Sequence, residues 1–119
     1  MKKILIIEDE PDVAETIKMF LEKDGYQVDL TLDAMDGIAK AAKYDLLLLD
    51  LIMPKVSGRQ VLKEMKKRGI TIPVIVLSAV GLPMMVGEEL KRDFPSVRFV
   101  SKTEMYSGLI PAIKAALKE

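Results

Sequence analysis

The chain is 119 residues long, the length of one domain, and its hydrophobic fraction of 50% is ample for a single core. Its 18 basic and 18 acidic residues cancel to zero net charge, which argues against a nucleic-acid binder that works by bulk charge. Without Cys or His there are no disulfides, no thiolate chemistry and no imidazole base, so any metal must be held by oxygen, which favours Mg²⁺, Mn²⁺ or Ca²⁺.

The first apolar run is Ile4-Leu5-Ile6-Ile7, which stops on Glu8-Asp9. Four apolar residues bounded by turn residues read as a strand buried on both faces of a parallel sheet. Pro11 then opens a helix, because its missing N–H costs little in a first turn. Val13, Ile17, Phe20 and Leu21 recur at helical spacing, and Asp24-Gly25 ends the segment. Tyr26 to Thr31 alternates, with Val28 and Leu30 on one face, as an edge strand does. Asp33 caps a second helix, with Met35, Ile38 and Ala42 predicted to face inward. Leu46-Leu47-Leu48-Leu49 is a third strand ending on Asp50.

Ser57 is the expected cap of a third helix with Val61, Leu62 and Met65 inward. Lys66-Lys67-Arg68-Gly69 closes it, placing cations on the negative end of the dipole and then a glycine stop. Val74-Ile75-Val76-Leu77 ends on Ser78, and Val97-Arg98-Phe99-Val100 ends on Ser101-Lys102. Residues 83–94 are predicted as a fourth helix around Met84, Leu90 and Phe94, and Leu109, Ile113 and Leu117 mark a fifth. No apolar run is long enough to span a bilayer and the start lacks a signal-peptide pattern, so a soluble, cytoplasmic protein with no membrane contact is expected.

Strict alternation of five strands and five helices, with short connections, predicts a single α/β domain over 1–119. The expected architecture is a flavodoxin-like (βα)5 fold, a doubly wound parallel five-stranded sheet. An amphipathic second strand belongs at an edge, which the order 2-1-3-4-5 satisfies. That order puts the switch point between strands one and three, where Glu8, Asp9 and Asp50 meet.

Carboxylates gathered at one rim repel, and one like-charge pair at about 4 Å costs on the order of 4 kcal/mol at an effective dielectric near 20. A divalent cation relieves that repulsion. Mg²⁺ keeps several waters and is held by one or two carboxylates together with phosphate. The cluster therefore reads as a Mg²⁺ site (Mn²⁺ can substitute) awaiting a phosphoryl group. Asp50 is the candidate nucleophile, forming an aspartyl phosphate. The metal would cover one phosphoryl oxygen, Lys102 a second, and the Ser78 hydroxyl with a backbone N–H the third.

These motifs carry a family likeness along the whole chain. Ile4 to Val13, reading ILIIEDEPDV, and Asp45 to Gly58, reading DLLLLDLIMPKVSG, resemble the acidic and phospho-acceptor motifs of bacterial two-component response-regulator receiver domains, the chemotaxis-regulator-like fold. Ser78-Ala79 is similar to the family's hydroxyl-plus-small pair, Lys102 to its lysine and Phe99 to its switch aromatic. The resemblance implies that Asp50 is the phospho-acceptor, that Asp9 ligates Mg²⁺ directly, Glu8 through water and Ile52 through its backbone carbonyl. It further implies that Ser78 and Phe99 switch a surface of the fourth helix, fifth strand and fifth helix, where Met84, Met85, Met105 and Tyr106 supply apolar contacts. The chain departs from the family at Thr103, where proline is usual, at Lys55, where an acid is common, and along 80–98.

The function expected is a phospho-accepting signalling switch that catalyses only its own phosphorylation and dephosphorylation and is otherwise no enzyme. Its donor would be a sensor histidine kinase or a phosphotransfer protein, with no direct nucleic-acid binding. The protein would be a monomer or a phosphorylation-linked dimer. The alternative is a phosphate-independent receiver-like interaction module. An aspartyl-nucleophile phosphohydrolase is disfavoured because the position two after Asp50 is Ile52, and a flavin site because Glu8-Asp9-Glu10 would repel its phosphate.

Overall fold

Five short runs of branched and leucine side chains become five parallel strands: β1 (Lys3–Ile7), β2 (Gln27–Thr31), β3 (Leu46–Asp50), β4 (Val74–Ser78) and β5 (Arg98–Ser101). They form one sheet in the order β2-β1-β3-β4-β5, as the amphipathic second strand predicts. The structure is a computed structural model that describes residues 2–50, 58–78 and 91–118, with only the backbone described for Ser78, Lys102 and Met105. Helices α1 (Pro11–Lys23), α2 (Ala34–Lys40) and α3 (Gly58–Lys67) and a C-terminal helix (Met105–Leu117) connect or flank the strands. No helix among the described residues is long and apolar enough to cross a membrane.

The period of two along each inner strand divides the core. Leu5, Ile7, Leu47, Leu49 and Val76 point to one face and pack with Ile38 of α2 and with Val61, Leu62 and Met65 of α3. Ile4, Ile6, Leu46, Leu48 and Ile75 point to the other, against Ile17 and Leu21 of α1 and Leu109 and Ile113 of the C-terminal helix. Because both faces are covered, β3 is buried along its whole length, Asp50 included.

Two helix ends follow one device. Gly25 (φ 93°) and Gly69 (φ 73°) take the left-handed conformation that side chains resist. After α1, the Tyr26 N–H bonds the Leu21 carbonyl (3.3 Å) and the Gly25 N–H the Glu22 carbonyl (3.1 Å). After α3, Ile70 bonds Met65 (2.9 Å) and Gly69 bonds Lys66 (3.1 Å) in the same way. This pairing satisfies the last carbonyls and turns the chain into the next strand.

The inward face of α2 differs from the one expected. Met35 is 51% exposed and Ala42 is exposed, whereas Ala34, Gly37, Ile38 and Ala41 are buried. Helical turns end at Lys40, and Ala41–Lys43 tightens into a 3-10 turn. The buried stripe is made of small residues because α2 lies very close to β1. A Cβ built on Gly37 would collide with the Ile7 side chain, meeting its Cγ1 at 2.6 Å. A long Met side chain has no room there and points to solvent.

The fifth strand starts one residue later than the apolar run, at Arg98, and Val97 is buried ahead of it. Of the predicted fourth helix, 91–93 are helical and Phe94 packs on the α2–α3 side of the core, while 83–90 lie outside the described residues, as do Ser57, Met84 and Met85. Tyr106 is 60% exposed and stacks edge-on against Phe20, with ring centroids 5.2 Å apart.

Candidate metal centre

Strand register decides what meets at the carboxyl rim. Ile7 pairs with both Thr31 and Leu49, Asp50 with Leu77, and Ser78 with Ser101. The strands therefore end nearly level, and Glu8-Asp9, Asp50, Ser78 and Lys102 leave the sheet at the same end. The crevice between β1 and β3 lies where the strand order reverses, the usual ligand position of an open α/β sheet.

Glu8, Asp9 and Asp50 each offer a carboxylate oxygen, and the three oxygens lie within 4.8 Å of one another. Glu8 is fully buried, Asp50 is 4% exposed and Asp9 is half-buried. Glu8 is held by its backbone and its side chain together. Its N–H donates to the Thr31 carbonyl (3.2 Å), extending the β1–β2 ladder by one residue. Its Oε1 accepts the Glu10 N–H (3.3 Å), just before the first turn of α1. That turn presents unpaired N–H groups and the positive end of the helix dipole, which favours acidic groups beside it. The all-oxygen donor set, the spacing and the burial suit a hard divalent cation with part of its water shell retained.

Thr31 is one residue that sequence reasoning missed. It is buried at the end of β2, and its Oγ1 accepts the Asp33 N–H (3.2 Å) and donates to the Asp33 carbonyl (3.3 Å). Thr31 thus links the strand end that holds Glu8 to the cap of α2, where Asp33 Oδ1 accepts from the N–H groups of Met35 (2.9 Å) and Asp36 (3.4 Å). Its only sequence signal is its place two residues before the helix cap Asp33.

Ser78 ends β4, and Lys102 begins the 3-10 turn Lys102–Glu104 after β5, so both stand on the carboxyl rim by backbone position. Ile52 lies outside the described residues. Around Lys102, the Ser101 and Thr103 hydroxyls are hydrogen-bonded (2.8 Å), and the Thr103 N–H donates to Ser101 Oγ (3.3 Å). This turn contains no cis peptide bond. Phe99 is half-buried against the α2–α3 side of the core, with the Lys91 ammonium 5.6 Å from its ring centroid.

Comparison with known proteins places this arrangement. The family model described as response regulator receiver domain matches residues 4–114. The uncharacterized transcriptional regulatory protein YkoG of Bacillus subtilis is 34% identical over 118 residues, covering 98% of this chain and 51% of the relative. Transcriptional regulatory protein DltR of Streptococcus agalactiae is 43% identical over 79 residues, covering 65% of this chain and 35% of the relative. The chain thus spans about half, or less, of the length of these curated relatives. Among solved structures, FixJ-N superposes with a TM-score of 0.87 at 28% identity, over 100% of this chain and 95% of that one. A response regulator receiver domain protein from Clostridium thermocellum gives 0.84 at 28% identity, over 99% and 95%.

Proposed function

The chain belongs to the response regulator receiver domain family, and from that premise we propose that it is a phospho-accepting switch that takes its phosphoryl group on Asp50. What carries the reading is the carboxylate trio at the β1–β3 crevice, whose oxygens approach within 4.8 Å around a buried Asp50.

Asp9, Asp50 and the Ile52 carbonyl would hold Mg²⁺ directly, and Glu8 through water. When bound, the ion neutralises the carboxylates and the phosphoryl oxygens that approach them. Asp50 is the nucleophile: a carboxylate oxygen bonds to phosphorus as the donor's P–N or P–O bond breaks. Packed strands on either side hold that carboxylate in place, so little orientation is lost on reaction. The Ser78 hydroxyl and the Lys102 ammonium cover phosphoryl oxygens from the ends of β4 and β5. The donor is a sensor histidine kinase or a phosphotransfer protein, and the protein's catalysis extends only to its own modification. The readout is a shift of Ser78 and Phe99 that alters the surface of β5 and the helices beside it. The relatives are transcriptional regulatory proteins of which this chain covers about half or less, so a longer protein with an output part is the natural context.

Labelling with acetyl phosphate in Mg²⁺ tests the reading. Wild-type protein is expected to take up hydroxylamine-sensitive label, and Asp50→Asn to take up none. Undiminished labelling of Asp50→Asn would place the acceptor elsewhere. An unlabelled wild type would favour the phosphate-independent interaction module.

A further inference from the structure

The turn that carries Lys102 is fastened on both sides of that residue. The Ser101 and Thr103 hydroxyls are 2.8 Å apart, and the Thr103 N–H donates to Ser101 Oγ at 3.3 Å. Both bonds span a single residue and close small rings around the Lys102 backbone, as short hydroxyl side chains do in turns. The sheet anchors the first of the pair, because Ser101 ends β5 in register with Ser78 of β4. Beyond the pair, Glu104 takes the cap position of the C-terminal helix and makes no side-chain cap bond there. The two hydroxyls bond each other across Lys102.

We propose that Ser101 and Thr103 are positioning residues for the phosphoryl step: their hydroxyl clasp holds the Lys102 backbone so that its ammonium reaches the phosphoryl oxygen. This rests on the phospho-accepting reading and adds to it the part of the chain that aims the lysine. A lysine side chain is long and rich in rotamers, so ordering it against a ligand is costly. With the backbone already fixed, only the side-chain torsions remain to be ordered, and small misplacements of a reacting or stabilising group cost rate. A proline ring at position 103 would restrain the turn through its own torsions and would offer no N–H. Thr103 has the N–H and donates it to Ser101, so hydrogen bonds supply the restraint. Its β-branched side chain has few rotamers, which keeps its hydroxyl close to the bonded position.

The test uses the whole chain with acetyl phosphate as donor, over a range of Mg²⁺ concentrations. Thr103→Val removes the hydroxyl and keeps the shape and the N–H. Its labelling rate at saturating Mg²⁺ is expected to fall about twofold to tenfold, the scale of one neutral hydrogen bond. Ser101→Ala removes both bonds and is expected to fall further. Thr103→Ser, which keeps the hydroxyl, is expected to label at the wild-type rate. The Mg²⁺ concentration giving half the maximal rate is expected to be unchanged in all three, because the carboxylate trio stands at the ends of β1 and β3. Thr103→Val is expected to add no slowing to Lys102→Ala. Thr103 is exposed, and circular dichroism checks that each variant keeps the fold. Wild-type labelling by Thr103→Val would overturn the proposal. So would slow labelling by Thr103→Ser, a shifted Mg²⁺ requirement, or a further slowing of Lys102→Ala. Each of those outcomes leaves Asp50 labelling of the wild type intact. An unlabelled wild type is the separate failure of the phospho-accepting reading, and it would remove this inference as well.

Discussion

Glu8 is buried beside two other carboxylates, and the fold maintains that repulsion through its own ladder bond and the Glu10 N–H. Removing one negative charge relieves it. Asp50→Asn is therefore expected to stabilise the metal-free protein by on the order of 2 kcal/mol, part of the roughly 4 kcal/mol of an uncompensated pair near 4 Å. The gain should shrink when wild-type protein is saturated with Mg²⁺. Urea unfolding with and without the ion measures both, and an unchanged gain in Mg²⁺ would show that the trio does not hold it. A second acid–base pair sits at the β2 edge. Tyr44 Oη donates to Asp29 Oδ2 at 2.6 Å, and burial first, then that carboxylate, push the phenol from 10.0 up to about 12. The neutral phenol is the form the fold favours. Its stabilisation is complete below the unfolded value near 10 and is lost as pH rises through about 12. Tyr44→Phe is expected to flatten the stability loss across that window and to remove the latest phase of the ultraviolet phenolate titration. Persistence of that phase would show that it does not belong to Tyr44. At this scale the meeting of Glu8, Asp9 and Asp50 was legible, since each ends or follows an apolar run and the strand order makes those runs neighbours. Thr31 stayed hidden because its local hydroxyl bonds leave no periodic trace.

Element boundaries were legible wherever a cap or a glycine stop marked them, as at Asp33, Gly25 and Gly69. The facing of α2 was not. Its apolar signal lay in Met35 and Ile38, but its contact with β1 is made by Gly37, which hydrophobicity cannot flag. Close approach, not apolarity, sets the helix phase. Gly37→Ala separates two effects. Helix propensity favours the substitution by about 1 kcal/mol, while overpacking against buried Ile7 costs about 1 to 3 kcal/mol. Net destabilisation is expected in urea melts, since Ile7 is fully buried and has little freedom to move. Restoration of stability by the double variant Gly37→Ala, Ile7→Val would identify the Ile7 contact as the cause. A stabilising Gly37→Ala would mean that α2 can lift from the sheet.

At the scale of the molecule, charge and chemistry divide across the sheet. Residues 1–60 hold 8 basic and 12 acidic residues and residues 61–119 hold 10 and 6, so the halves carry −4 and +4. The two halves hold opposite edges of the sheet, β2 in the first and β5 in the second. The strand order itself was legible from one contrast, the alternating Tyr26–Thr31 against the uniformly apolar inner runs. A cleft of about 600 Å³ at the amino ends of β4 and β5 was not legible, because it joins Lys91, Arg98 and Lys118 from segments that only the fold brings together. β4 and β5 connect this cleft to the carboxyl rim. β5 runs from Arg98 at the cleft to Ser101 at the carboxyl rim, a span of about 10 Å at 3.3 Å per residue. Phe99 lies between them, forming part of the cleft wall, packing on the core and carrying the Lys91 ammonium over its ring. If phosphorylation turns Phe99 inward, it withdraws apolar wall from the cleft and takes its ring from beneath the Lys91 ammonium. Beryllofluoride with Mg²⁺ is then expected to shift the amide resonances of Lys91 and of residues 96–99 and 115–118, remote from the carboxyl rim. Loss of those shifts in Phe99→Ala would place the coupling in the aromatic ring. Shifts confined to the rim around Asp9 and Asp50 would mean that the two ends of the sheet act independently.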